Sequence, residues 1–83
     1  MDDQEKDPGD LREFLRCHKG DETRAYKLRI VPGGAELWRS TEKAGGKTTL
    51  IKEDDFTQAE EAGRTLEELE QRLKAGGWRL VDR

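Results

Sequence analysis

The sequence predicts an α+β domain. Its parts are a three-stranded antiparallel meander, a C-terminal strand, one main helix packed on one sheet face and a short N-terminal helix, in the order α-β-β-β-α-β. Three observations predict it. Residues 24–52 alternate apolar and polar side chains and are cut by short glycine-rich turns. Residues 57–75 repeat apolar positions every three or four residues. Residues 10–20 show a shorter stretch of the same helical spacing. The chain has 83 residues, of which 15 are Leu, Ile, Val or Phe, enough for one small core and not for two.

Residues 1–9 are acidic, hold only Met1 as an apolar side chain and end in Pro8-Gly9, so they read as a disordered acidic tail ahead of a single domain over 10–83. Asp10 and Glu13 have the capping-box spacing, and Leu11, Phe14, Leu15 and His18 share one helical face, with Gly20 as the stop. Tyr26, Leu28 and Ile30 then alternate with Ala25, Lys27, Arg29 and Val31, the pattern of a half-buried strand. Pro32-Gly33-Gly34 is a turn, Glu36 to Thr41 returns through Leu37 and Trp38, Ala44-Gly45-Gly46 turns again, and Lys47 to Lys52 is rich in β-branched residues.

Thr57 with Glu60 and Thr65 with Glu68 both match a helix-start box, yet Ala59, Ala62, Leu66, Leu69 and Leu73 keep one stripe across both. One helix over 57–75 follows, with a break at Gly63 as the alternative. Ala59, Ala62 and Gly63 are small enough to bring that end close to a sheet. Gly76-Gly77 stops the helix, and residues 78–81 form the last strand.

The ending Leu66 to Val81 resembles that of a family of short bacterial domains of unassigned function. These open with a Tyr-Lys-aliphatic strand and close with a helix, a Gly-Trp pair and an aliphatic strand. Tyr26-Lys27-Leu28 and Gly77-Trp78-Arg79-Leu80-Val81 match those features. The resemblance implies the fold and no activity; Trp78, just after a helix stop, is expected as a plug between helix and sheet. Trp38-Arg39-Ser40, Phe56-Thr57 and Gly77-Trp78 resemble WGR domains of DNA-break-sensing enzymes. The glycine between Trp and Arg is missing here, so DNA binding is not carried over to Trp38 and Arg39.

Charge is unevenly spread. The formal net charge of −3 divides into −4 over residues 1–22, +5 over 23–52 and −4 over 53–83. With Tyr26, Leu28 and Ile30 facing the helix, Lys27 and Arg29 share the opposite face. If Trp38 also faces the core, Arg39 joins them, and if Trp78 does, so does Arg79. The expected partner surface is therefore Lys27, Arg29, Trp38, Arg39, Lys43 and Lys47, on the sheet and its hairpin loops. The acidic helix and tail are potential competitors for it.

Catalytic chemistry is poorly served. Gly45-Gly46-Lys47-Thr48 lacks the first glycine of a phosphate loop, since Thr41 stands there. A single Cys and a single His exclude a disulfide framework and a four-cysteine zinc site. Cys17 and His18, adjacent on a helix, would diverge by about 100°. No apolar run approaches a membrane span. The expectation is a cytoplasmic, non-enzymatic module without cofactor or metal. Its expected partner is a protein or a second copy of the chain, and the alternative is single-stranded nucleic acid on the same basic face.

Overall fold

The structure, a computed structural model, describes residues 11–81; the N-terminal tail expected over 1–9 lies outside the described residues. The chain is α+β. Five strands, β1 (Arg12–Lys19), β2 (Glu22–Val31), β3 (Gly34–Lys43), β4 (Thr48–Phe56) and β5 (Arg79–Leu80), form one sheet, and α1 (Ala59–Ala75) precedes β5. The strand order is β4-β3-β2-β1-β5, and every neighbouring pair is antiparallel.

The expected N-terminal helix is corrected to a strand. β1 pairs with β2 from Arg12 to Lys19, and its register shifts between Glu13 and Leu15. The shift leaves Phe14 without a register partner and 48% exposed, while Leu15 and His18 fall on opposite faces, so the helical spacing of residues 11–18 is not one face of the strand. A two-turn helix would have been marginal, whereas as a strand this segment satisfies its backbone along the free edge of β2. Gly20, at φ 61, is not a helix stop but the first residue of the two-residue turn into β2.

β4 is longer than expected and carries Glu53-Asp54-Asp55 inside the strand. It lies at the sheet edge, where charged side chains reach solvent, and a second register shift between Leu37 and Trp38 accommodates Glu53.

α1 is continuous through Gly63. Its N-cap is Gln58, without a side-chain capping bond, and the Thr57 hydroxyl donates to Glu61 Oε1 at 3.3 Å, so neither expected capping box forms. Ala62 and Leu73 are buried and Leu66 and Leu69 are half-buried, one stripe against the sheet. Ala59 and Gly63 are exposed, which leaves Ala62 as the small residue making the close approach. A Cβ at Gly63 would meet nothing within 4 Å. Gly63→Ala is therefore expected to stabilise the domain by about 0.5–1 kcal/mol, read from urea unfolding.

The helix ends in a Schellman motif. Trp78 N–H donates to Leu73 O at 2.9 Å, Gly77 N–H donates to Lys74 O at 3.2 Å, and Gly77 sits at φ 91. The core comprises Cys17, Tyr26, Leu28, Ala35, Leu37, Ala62 and Leu73, with Leu15, Phe56, Trp78 and Leu80 packed at its margin. No helix among the described residues is long and apolar enough to cross a membrane.

Candidate functional site: the open face of the sheet

Residues directly opposed in an antiparallel pair lie on the same face, so the register sorts every strand residue. Beneath α1 run the rows Leu80-Cys17-Arg24-Thr41, Leu15-Tyr26-Arg39-Ile51 and Leu28-Leu37-Asp54. The other face, which no described element covers, carries Arg79-His18-Thr23-Glu42-Thr48, then Arg16-Ala25-Ser40-Leu50, then Glu13-Lys27-Trp38-Lys52, then Arg29-Glu36-Asp55.

This sorting corrects one sequence expectation. Trp38 is on the open face with Lys27 and Arg29, and Arg39 is on the helix face, opposite Tyr26. β3 offers two successive apolar residues, Leu37 and Trp38, and only one of them can point inward. Leu37 takes that place because it meets Leu28 beneath the helix. Arg39 instead approaches Glu53 at 3.5 Å, with its Nε buried and unpartnered.

Trp38 is half-buried. Its Nε1–H donates to Glu36 Oε1 at 3.0 Å, which ties the indole to its own strand. Lys27 and Lys52 flank it in one cross-strand row. Ala25, only 3% exposed on this uncovered face, forms a floor between Arg16 and Ser40 in the next row.

The cations here are largely matched. Arg16 donates to both Glu13 oxygens at 2.9 and 2.6 Å, and Arg29 reaches Glu36 at 3.3 Å. Lys52 lies 3.1 Å from Asp55 and 3.8 Å from Glu36. Lys27 makes no ion pair among the described residues. The basic block of the sequence is thus a mixed lattice in three dimensions, because the register sets Glu13, Glu36 and Asp55 beside its cations.

The remaining expected residues lie at the rim. Lys43 ends β3 and Lys47 precedes β4, both exposed on the hairpin where Gly46 N–H donates to Lys43 O at 3.0 Å. Thr48 opens a strand rather than the helix a phosphate loop requires. Arg79 joins the open face opposite His18, as expected from the inward packing of Trp78. Sequence reasoning missed Lys52, Glu36 and Arg16 as neighbours of this surface. The alternation of Glu36 was visible, but Arg16 lies in a segment whose spacing predicts a helix, and the juxtaposition of all three needed the register and both bulges. The acidic helix lies on the opposite face, so within one chain it does not reach the open one.

Cys17 and His18 point to opposite faces. Cys17 is fully buried, and burial pushes its thiol upward against the weaker pull of Arg24, so it holds its proton and is a poor nucleophile. His18 Nδ1 lies 2.8 Å from the Thr23 hydroxyl. Among the described residues no three His, Cys, Asp or Glu side chains converge as a metal site. On the helix side a groove of about 360 Å³ opens between α1 and β3–β4, lined by Tyr26, Leu37, Glu53, Asp54, Glu68 and Arg72 among others. Trp78 caps the other end of the core, with the Arg24 guanidinium 4.5 Å from its ring centre and Lys19 Nζ at 6.0 Å. Lys19 also donates to Gly76 O at 2.8 Å, satisfying the helix end.

These features define a small α+β domain whose antiparallel sheet is covered by a helix on one face and open on the other, with a tryptophan in the open face. No family model, no curated protein and no solved structure matches this chain.

Proposed function

We propose that this chain is a non-enzymatic interaction module that takes a protein partner on the open sheet face, centred on Trp38 with Lys27, Arg29 and Lys52, and on the adjoining Lys43–Lys47 hairpin. The observation that carries the reading is a half-buried tryptophan, held by Glu36, on a face that no described element covers. Tryptophan and arginine at the centre of a patch, ringed by paired charges, is the composition of protein-binding surfaces. Arg39 leaves the set, since it lies under the helix.

The test is affinity capture with the full chain as bait, comparing Trp38→Ala and Lys27→Glu with the helix-face control Arg64→Glu. Trp38→Ala is expected to cost only about 1 kcal/mol of stability, because it loses cross-strand contacts and no core. Both open-face variants are expected to weaken the captured partner by at least about tenfold while the control leaves it unchanged. Equal recovery by all three folded proteins overturns the reading.

A second reading, single-stranded nucleic acid on the same face, is favoured by the Lys27-Trp38-Lys52 row, a stacking ring between two cations. Against it stand Glu36 and Asp55 beside that ring, which would repel phosphates. Fluorescence anisotropy with random oligonucleotides at low salt decides between them: no binding at about 100 µM chain removes the nucleic-acid reading.

A further inference from the structure

β4 closes the sheet on one side, and among the described residues nothing pairs with its outer edge. Only Leu50 and Phe56 of its nine residues are even half-buried. Exposed edges are ordinarily protected by charges and bulges. Here Lys52, the acids and the bulge at Glu53 all lie in the second half of the strand. The first half, Thr48-Thr49-Leu50-Ile51, carries no charge and leaves Ile51 44% exposed.

Charge is polarised along this edge. Lys43 and Lys47 stand at the hairpin end without an ion pair among the described residues, and Glu53, Asp54 and Asp55 stand at the other end. A parallel neighbour of the same sequence would set like charges together. An antiparallel one sets opposite charges together at both ends.

We infer that the β4 edge joins a second copy of this chain, the two strands pairing antiparallel about a two-fold axis at Leu50. In that register Thr49 lies opposite Ile51, Thr48 opposite Lys52, and Lys47 opposite Glu53, twice by symmetry. Thr49, Ile51 and the lysine–glutamate pairs fall on the helix side of the joined sheet. The bulge at Glu53 ends the ladder, which confines pairing to the uncharged half and its flanks. The product is one ten-stranded sheet, two copies of the five-stranded one, with both helices on one face and both Trp38 rows on the other. The inference shares the hairpin lysines with the partner reading above but rests on the β4 edge and not on the Trp38 row, and its test reads self-association rather than capture of another protein.

Sedimentation equilibrium of the full chain over about 5–500 µM tests it, as a monomer–dimer equilibrium shifts with concentration. The expected result is a dimer at the upper end. Lys47→Glu is expected to raise the dimer dissociation constant at least about tenfold, and the swap Lys47→Glu with Glu53→Lys to return it to within about threefold of the original. Should loss of the Arg39 contact unfold the swap, hydrogen exchange of the unaltered chain decides instead. Amides of residues 48–52 must then exchange more slowly as concentration rises. A monomer at every concentration, a dimer indifferent to Lys47→Glu, a folded swap that fails to restore pairing, or concentration-independent exchange at 48–52 each overturns the inference.

Discussion

Gly34→Ala is expected to destabilise the domain by about 3 kcal/mol, lowering the melting temperature by about 15 °C. Gly34 opens β3 opposite Val31, and the end of β4 passes directly over it. A Cβ there would stand 1.8 Å from Phe56 O and 2.8 Å from Phe56 C, backbone atoms that cannot rotate away. Phe56 belongs to the β3–β4 ladder, opposite Ala35, so relieving the clash means opening that ladder beside the core. Gly33→Ala is the control. It shares a positive φ, 88 against 153, but its Cβ would meet nothing within 4 Å, so it bears only the conformational cost of about 1 kcal/mol. Urea unfolding of both variants separates the two causes. Equal losses would show that dihedral strain, not the close approach, governs Gly34.

Leu73→Ala is expected to cost about 3 kcal/mol. Leu73 is the one large side chain of α1 that is buried, at 5% exposure, and Ala62 is its small companion about three turns upstream. The backbone oxygen of Leu73 accepts from both Gly76 and Trp78, and truncating the side chain leaves those bonds in place. The loss is therefore one of packing between helix and sheet, not of helix termination. For a chain of this size, whose total stability is on the order of 4–12 kcal/mol, that is a large share. Leu73→Met, which keeps the volume, is expected to cost less than about 1.5 kcal/mol. Calorimetry or urea unfolding measures both, and similar losses for Ala and Met would place the sensitivity in side-chain shape rather than in the cavity.

Several parts of this architecture were legible in the residues. Tyr26, Leu28 and the alternating Lys27 and Arg29 announce β2 and its two faces. The stripe through Ala62, Leu66, Leu69 and Leu73 announces α1, and Gly76-Gly77 ends it within a residue of the observed cap. In each case the signal is a periodicity long enough to exclude the other secondary structure. β1 is the counter-example. Its eight residues are too few for one period to exclude the other, and the bulge at Phe14 interrupts the alternation that marks a strand.

The candidate site was half legible for a related reason. Lys27, Arg29 and the solvent-facing hairpin lysines follow from alternation alone. The side taken by Trp38 does not, since Leu37 and Trp38 are adjacent and either could fill the core. The ion pairs joining Lys52, Glu36 and Asp55 also depend on a register that a bulge has shifted.

The sequence by itself determined the α+β class, the run of strands followed by helix and strand, and the polarisation of charge into acidic, basic and acidic segments. Those properties belong to single segments and are written in their local period and composition. Tertiary structure alone decided that residues 12–19 are a strand, that Trp38 faces outward and Arg39 inward, and that the basic block is threaded with acids. These depend on which edge supplies hydrogen-bond partners and which face α1 covers, and both are set by residues distant in the chain. The low apolar content is why such choices matter. With so few large side chains, burying Leu37 beneath the helix leaves Trp38 on the open face.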